Sequence, residues 1–214
     1  ISNFTPFKNS LFFTTVNIYA ETGSVWQTDG TEAGTIPVTD GWILQDLFVY
    51  NDALLLTTGY TSCCSLSKTD GTSAGTMQLG MGGTDMTIFK DKVYFLVQPR
   101  VVSSTNGTIE GTPDYMGAPI NIDNADGIRS LEMMNDHLYF ITVQFWPYTY
   151  KLWRSDGTTA GTMLVKDFPD PTGSMEIGQL YQLNNTLFFK GFDMEHGEEL
   201  WMSNGTASGT RMIA

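Results

Sequence analysis

The stretch Lys151-Leu-Trp-Arg-Ser-Asp-Gly-Thr-Thr-Ala-Gly-Thr-Met-Leu-Val165 occurs, with changes, five times in the chain. Its echoes are Ser24-Val-Trp-Gln-Thr-Asp-Gly-Thr-Glu-Ala-Gly-Thr35, Ser65-Leu-Ser-Lys-Thr-Asp-Gly-Thr-Ser-Ala-Gly-Thr76 and Glu199-Leu-Trp-Met-Ser-Asn-Gly-Thr-Ala-Ser-Gly-Thr210. A degraded copy is Val102-Ser-Ser-Thr-Asn-Gly-Thr-Ile-Glu-Gly-Thr112. Asp-Gly and Asn-Gly suit a tight turn, because Gly tolerates positive φ and the Asx side chain bonds the backbone two residues on.

Upstream of each copy lies a second unit: Phe7-Lys-Asn-Ser-Leu-Phe-Phe13, Tyr50-Asn-Asp-Ala-Leu-Leu-Leu56, Phe89-Lys-Asp-Lys-Val-Tyr-Phe95, Met134-Asn-Asp-His-Leu-Tyr-Phe140 and Leu183-Asn-Asn-Thr-Leu-Phe-Phe189. Each reads as an apolar strand, a polar turn and another apolar strand. The full unit is strand a, turn, strand b, variable loop, strand c, Asp-Gly-Thr turn, strand d. Four antiparallel strands in units of about 36 to 50 residues predict propeller blades. The fold expected is all-β, a single five-bladed β-propeller in one domain, residues 1–214, with blades at 1–42, 43–83, 84–127, 128–174 and 175–214.

The recurring Leu-Trp-x-[Ser/Thr]-[Asp/Asn]-Gly-Thr-x-Ala-Gly-Thr resembles the ELWxxDGT repeat of extracellular bacterial proteins, over essentially the whole chain. That resemblance implies architecture and an extracellular location, and no particular activity. Ser67 and Ser103 stand where the repeat has Trp, so the second and third blades are expected to pack differently.

The formal charge of −12 repels phosphate backbones and anionic headgroups, which disfavours nucleic acid and membrane surfaces as partners. The apolar runs are of strand length, so no membrane insertion is expected. The chain opens at Ile1 without Met or leader, which raises the expectation of a secreted protein whose address has been removed. Asn3, Asn106, Asn184 and Asn204 each begin an N-x-[Ser/Thr] triplet, a glycan acceptor in a secretory pathway and equally an ordinary turn residue. The two cysteines, Cys63 and Cys64, are adjacent and build no disulfide framework; they are either a vicinal disulfide or two small thiols in a loop.

Antiparallel connectivity sends the a-b and c-d turns to one end of each sheet and the b-c and d-a loops to the other. The second end varies, and variable loops on a rigid scaffold are where binding sites usually sit. Candidate ligand-binding residues there are Tyr19, Tyr60, Arg100, Trp146, Tyr148, Tyr150 and His196, the aromatic run Phe145-Trp-Pro-Tyr-Thr-Tyr150 being the least scaffold-like. Trp26, Trp153 and Trp201 read as inter-blade core or as a sugar-stacking platform. The motif residues Asp29, Asp70 and Asp156 read as turn caps in preference to calcium ligands, and the d-a loop aspartates, Asp170 among them, as solvated charge. Met133, Met134 and Met163 read as core.

His137 and His196 are the only histidines, and His137 falls in a tight a-b turn at the opposite end, so no zinc site or Ser-His-Asp triad is expected; an acid-base role for the Glu195, His196, Glu198, Glu199 cluster is the weaker reading. The expected function is therefore non-catalytic binding, carbohydrate first, in keeping with the size and blade count of five-bladed propeller lectins. The alternatives are an extracellular scaffold that forms a homo-oligomer through the aromatic loop, and a binder of an apolar small molecule or pigment, suggested by the eleven methionines. No cofactor or metal is required by any of these.

Overall fold

Each repeat folds into a four-stranded antiparallel meander. The first sheet is β1 (Ser2–Phe7), β2 (Ser10–Asn17), β3 (Thr22–Thr28) and β4 (Ile36–Trp42); the second is β5 (Leu44–Tyr50), β6 (Ala53–Tyr60), β7 (Cys63–Thr69) and β8 (Met77–Met81). The third is β9 (Thr84–Phe89), β10 (Lys92–Val97), β11 (Val101–Thr105) and β12 (Ile120–Asn121). The fourth is β13 (Gly127–Met134), β14 (His137–Phe145), β15 (Tyr148–Ser155) and β16 (Thr162–Pro169), and the fifth is β17 (Tyr181–Leu183), β18 (Thr186–Asp193), β19 (Gly197–Ser203) and β20 (Arg211–Met212). The computed structural model describes residues 1–214 apart from 18, 20, 21, 43, 61, 62, 115, 171, 172, 174–176, 194 and 214; of 41, 42, 44, 45, 60 and 63 it describes the backbone alone. The described residues contain no helix, and so none long and apolar enough to cross a membrane.

Local chemistry accounts for the meander. The a-b turns are two residues long in every sheet, and Lys90-Asp91, Asn135-Asp136 and Asn184-Asn185 hold positive φ at both positions. That is the type I′ geometry whose twist matches the flanking strands, and Asn and Asp tolerate it best. The c-d turns are built from one hydrogen-bond set repeated in each sheet. In the fourth, Asp156 Oδ1 accepts from Thr158 N at 3.0 Å and from Thr158 Oγ1 at 2.8 Å, while Thr158 Oγ1 in turn accepts from Gly161 N at 3.0 Å. The preceding Ser155 hydroxyl accepts from Gly157 N at 3.1 Å and meets Thr162 Oγ1 at 2.8 Å. Asn106 and Asn204 place Oδ1 on Thr108 and Thr206 in the same way, which is why Asn substitutes for Asp in two copies.

Both glycines of the motif are required. The first, such as Gly157 at φ +99°, adopts a left-handed conformation. The second has a steric reason that the turn rules do not contain: a Cβ at Gly161 would fall inside the Asp156 carboxylate, and the same overlap recurs at Gly34, Gly75, Gly111 and Gly209.

Packing groups the described residues into two units, one of 1–84 with 104–117 and one of 85–103 with 118–214. In the first, Phe7, Phe12, Val25, Val38, Leu47, Leu54 and Leu56 form a core cluster. Successive repeats within it are joined turn to hairpin: Lys8 Nζ donates to Asp70 O at 2.7 Å, and Gly71 faces the Phe12 ring. In the next pair Lys68 Nζ donates to Gly107 O at 2.7 Å and Gly107 faces the Tyr50 ring.

The second unit has two clusters. One gathers Tyr139, Tyr150, Phe168, Phe189 and Trp201, and the other Tyr94, Val102, Ile128, Leu138 and Phe140, with Trp153 packed against it. The same joint appears here: Lys90 Nζ donates to Asp156 O at 2.8 Å, Gly157 lies against Phe89 and Tyr94, and Gly205 against the Tyr139 hydroxyl. Met134 is buried at 1 % exposure, but Met133 and Met163 are 41 % and 57 % exposed, which corrects their assignment to the core. Neighbouring strand residues point to opposite faces, so Met133 and Met134 cannot both turn inward.

At the Trp position the third sheet has a buried serine. Ser103 is 1 % exposed, and its hydroxyl finds no hydrogen-bond partner among the described residues.

Candidate functional site

The fourth sheet carries the site. The aromatic run expected as a long loop is instead the end of a regular hairpin: β14 continues to Phe145, β15 starts at Tyr148, and the turn is Trp146-Pro147 alone, with a cis peptide between them. Phe145 faces Tyr148 across the ladder with ring centroids 5.7 Å apart, and the Trp146 ring meets Tyr148 edge-on at 5.6 Å. Trp146 is 83 % exposed and Phe145 40 %.

Two d-a loops, one on each side of the fourth sheet in the chain, hold this hairpin. Asp126 Oδ2 accepts from Phe145 N at 2.8 Å, and Asp170 N donates to Tyr148 O at 2.8 Å. Asp170 Oδ1 caps Gly173 N at 2.8 Å, and Gly173, at φ +64°, lies so close to the Tyr148 ring that a Cβ there would come within 2.9 Å of it. Asp170 is fully buried, which corrects its reading as solvated charge; it is a structural cap that fixes Tyr148 in place. The Gln144 carboxamide and the Thr149 hydroxyl flank the cluster, reaching Trp146 O at 3.5 Å and Pro147 O at 3.3 Å.

Tyr150 does not belong to the surface. It is 4 % exposed and packs in the core, because residues two apart on a strand share a face and Tyr150 continues the inward line that Leu152 completes. Tyr19 is 93 % exposed beside the β2 end, its N–H on Asn17 Oδ1 at 3.1 Å. Arg100 is exposed at the β10–β11 turn, which contains a second cis peptide, Gln98-Pro99. His196 lies on the β18–β19 turn, where Asp193 Oδ1 accepts from His196 N at 2.7 Å and from Glu195 N at 2.9 Å. The His196 ring sits on the same carboxylate at 3.1 Å, which raises the imidazole above its ordinary value, while Asp193 is held below its own first by the His196 amide and then by the ring. The structure thus brings together Trp146, Tyr148 and Phe145, while Arg100 and His196 occupy other hairpins.

Tyr60 and Cys63 end β6 and begin β7, strands where a loop was expected, and their side chains lie outside the described residues, as does any bond from Cys63 to Cys64. Trp153 and Trp201 take core positions: Trp153 Nε1 donates to Thr142 Oγ1 at 2.8 Å, and Trp201, 8 % exposed, stands edge-on to Phe168 at 5.2 Å. Trp26 is half-buried opposite Phe13. Of the triplet asparagines, Asn3 sits in a β1 irregularity at φ 54°, Asn184 in its type I′ turn, and Asn106 and Asn204 in motif turns with Oδ1 engaged. Asp29, Asp70 and Asp156 are held below the ordinary aspartate value, first by the Thr hydroxyl two residues on and then by its amide, as expected for turn caps.

Sequence reasoning missed a second feature. A cleft of about 360 Å³ opens in the first unit at the end of the second sheet that bears the short turns, between Asn51 and Asn106. The signal was at the first a-b turn position, which is Lys at 8 and 90 and Asn at 51, 135 and 184.

No family model matches the chain, and no characterised protein matches it in sequence. Solved structures do match in fold. A prolyl endopeptidase is similar at TM-score 0.62 and 13 % identity over 96 % of this chain and 33 % of that one. Prolyl oligopeptidase B from Galerina marginata is similar at 0.60 and 12 %, over 99 % and 34 %. A protein described as a 6-phosphogluconolactonase of Bacteroides fragilis is similar at 0.58 and 11 %, over 96 % and 67 %. The chain spans about a third of the length of the two peptidases. At such identities the likeness is one of fold, and the fold is β-propeller-like.

Proposed function

We propose that the chain is a secreted, non-catalytic carbohydrate-binding module built as a closed five-bladed propeller of ELWxxDGT-type repeats, its glycan seated on the aromatic hairpin tip of the fourth blade. The observation that carries this is the Trp146 ring, 83 % exposed and braced by Tyr148 and Phe145. An indole held open to solvent offers a plate for the apolar face of a sugar, and Gln144 and Thr149 offer polar groups for its hydroxyls. The three solved structures named above are described as enzymes, at identities that carry fold alone.

Closure of the ring is supported by the turn-to-hairpin joint. At the joint's first position Phe7, Tyr50, Phe89 and Met134 are 5, 6, 4 and 1 % exposed, whereas the fifth copy, Leu183, is 60 % exposed. Gly30, in the first motif turn, has no described atom within 4 Å of a Cβ position. Leu183 is the one copy of this position left exposed, and closure is what would bury it.

The test of function is retention on a broad glycan array followed by calorimetry with the best ligand. Trp146→Ala is expected to weaken binding by at least tenfold and leave thermal stability unchanged, since so exposed a ring holds little of the core. Silence across the array overturns the proposal. Light scattering separates the competing use of the same ring in self-association: a dimer that Trp146→Ala dissolves, without glycan binding, would favour a scaffold.

A further inference from the structure

We infer a second saccharide site, distinct from the aromatic hairpin, in the cleft beside Asn51. The inference rests on the carbohydrate-binding function proposed above and adds to it a place and a ligand class.

At the cleft a clasp made in two other repeats is missing. Lys8 and Lys90 occupy the first position of the a-b turn at φ 51° and 47° and reach across to the next motif turn, at Asp70 O and Asp156 O. Asn51 holds the same position at φ 52°, but its side chain is too short to span the gap. The carbonyl equivalent to Asp70 O and Asp156 O is Asn106 O, and Lys68 Nζ, from the strand, takes the neighbouring Gly107 O at 2.7 Å. The space above is left open and lined by Tyr50, Asn51, Asp52, Lys68, Asp70 and Asn106.

The lining selects a ligand. Asp70 Oδ1 is committed to Thr72 at 2.9 and 2.7 Å, so Oδ2 and the Asp52 carboxylate are the acceptors. Asn106 Oδ1 is committed to Thr108, so Nδ2 is a donor, beside Asn51 and the remaining protons of Lys68. Acceptors and donors thus share one cleft, and a hydroxyl group, which both donates and accepts, satisfies both kinds. Two carboxylates on a chain of net charge −12 repel an anion. A volume of about 360 Å³ lies at the lower end of small-ligand sites, roughly 300–1,000 Å³. The fitting class is a neutral mono- or disaccharide.

The experiment is a ¹⁵N-resolved NMR titration with glucose, galactose, mannose, fucose and N-acetylglucosamine, run on the wild type, Asn51→Lys and Trp146→Ala. Asn51→Lys restores the clasp that two other repeats already make at the same φ, so it fills the cleft with a residue the fold accepts. Shifts at the Asp70, Gly107 and Thr108 amides are expected in the wild type and in Trp146→Ala. In Asn51→Lys they are expected to vanish, with at least a tenfold loss of affinity at that site. Asp52→Asn, which preserves shape, is expected to weaken the same shifts and serves if Asn51→Lys fails to fold. Shifts confined to residues 144–149, or unchanged in both cleft variants, overturn the second site while leaving the aromatic site standing. A wild type that responds to none of the sugars and to no glycan on the array overturns both.

Discussion

Leu183→Ala tests closure of the ring directly. Leu183 is 60 % exposed, and full burial of a leucine side chain contributes roughly 1.5–3 kcal/mol, so seating it in a fifth joint adds about 0.6 of that, or about 1–2 kcal/mol. In a closed ring Leu183 becomes an ordinary core leucine, and its truncation costs about 2–4 kcal/mol. If the joint never forms, the loss is under about 1 kcal/mol, because only the part already buried is removed. Met134→Ala, at the same repeat position and 1 % exposed, supplies the reference of about 2–5 kcal/mol. Urea unfolding followed by tryptophan fluorescence gives both losses from the transition midpoints at constant slope. The series is run at two protein concentrations, since a joint between copies would make the midpoint depend on concentration. A small loss for Leu183→Ala beside a full-sized loss for Met134→Ala refutes closure.

Other consequences concern single repeats. Thr142 is 3 % exposed and accepts the Trp153 indole proton at 2.8 Å, so Thr142→Val, which keeps the shape, should cost about 1–3 kcal/mol in the same urea assay; a neutral result would show the indole finding another acceptor. The motif carboxylates Asp29, Asp70 and Asp156 are held below their ordinary value in the fold, so their contribution is present above the unfolded aspartate value of about 3.9 and is lost as pH falls through the lower folded value. Replacing all three by Asn, as Asn106 and Asn204 already are, should keep the fold and flatten the fall of melting temperature below pH ~4. An unchanged acid slope would place the acid sensitivity elsewhere.

Much of the fold was legible because turn chemistry is local. A two-residue turn with positive φ favours Asn, Asp or Gly, and the motif turn demands an Asx acceptor followed by Thr, so both kinds of hairpin show in the residues themselves. Three things were not. The second motif glycine answers to a side chain five residues earlier, a steric relation that no turn type encodes. The aromatic run of the fourth sheet looked like a loop because aromatics belong equally to strands and to binding loops; the ladder from Phe145 to Tyr148 settled it, sending Tyr150 to the core and Trp146 to solvent. The cleft at Asn51 depends on the reach of a side chain into the next repeat, and a short residue in a tight turn looks unremarkable until its lysine counterparts are seen spanning the same gap.

That last point bears on where repeat proteins put their specificity. The Asp-Gly-Thr turn satisfies its hydrogen bonds internally in every copy, and its glycines admit no side chain, so it cannot differ much from one repeat to the next. The first residue of the a-b turn is less restricted: Lys8, Asn51, Lys90, Asn135 and Asn184 all take positive φ, so the turn accepts lysine there as well as asparagine. Lysine there closes the seam to the following turn, while asparagine leaves it to whatever the neighbours provide. At Asn51 the neighbours provide Lys68 from below and two carboxylates at the sides, and a cleft results. A ligand site can therefore arise or disappear by exchange at one turn position, with the hydrogen bonds that specify the scaffold left untouched.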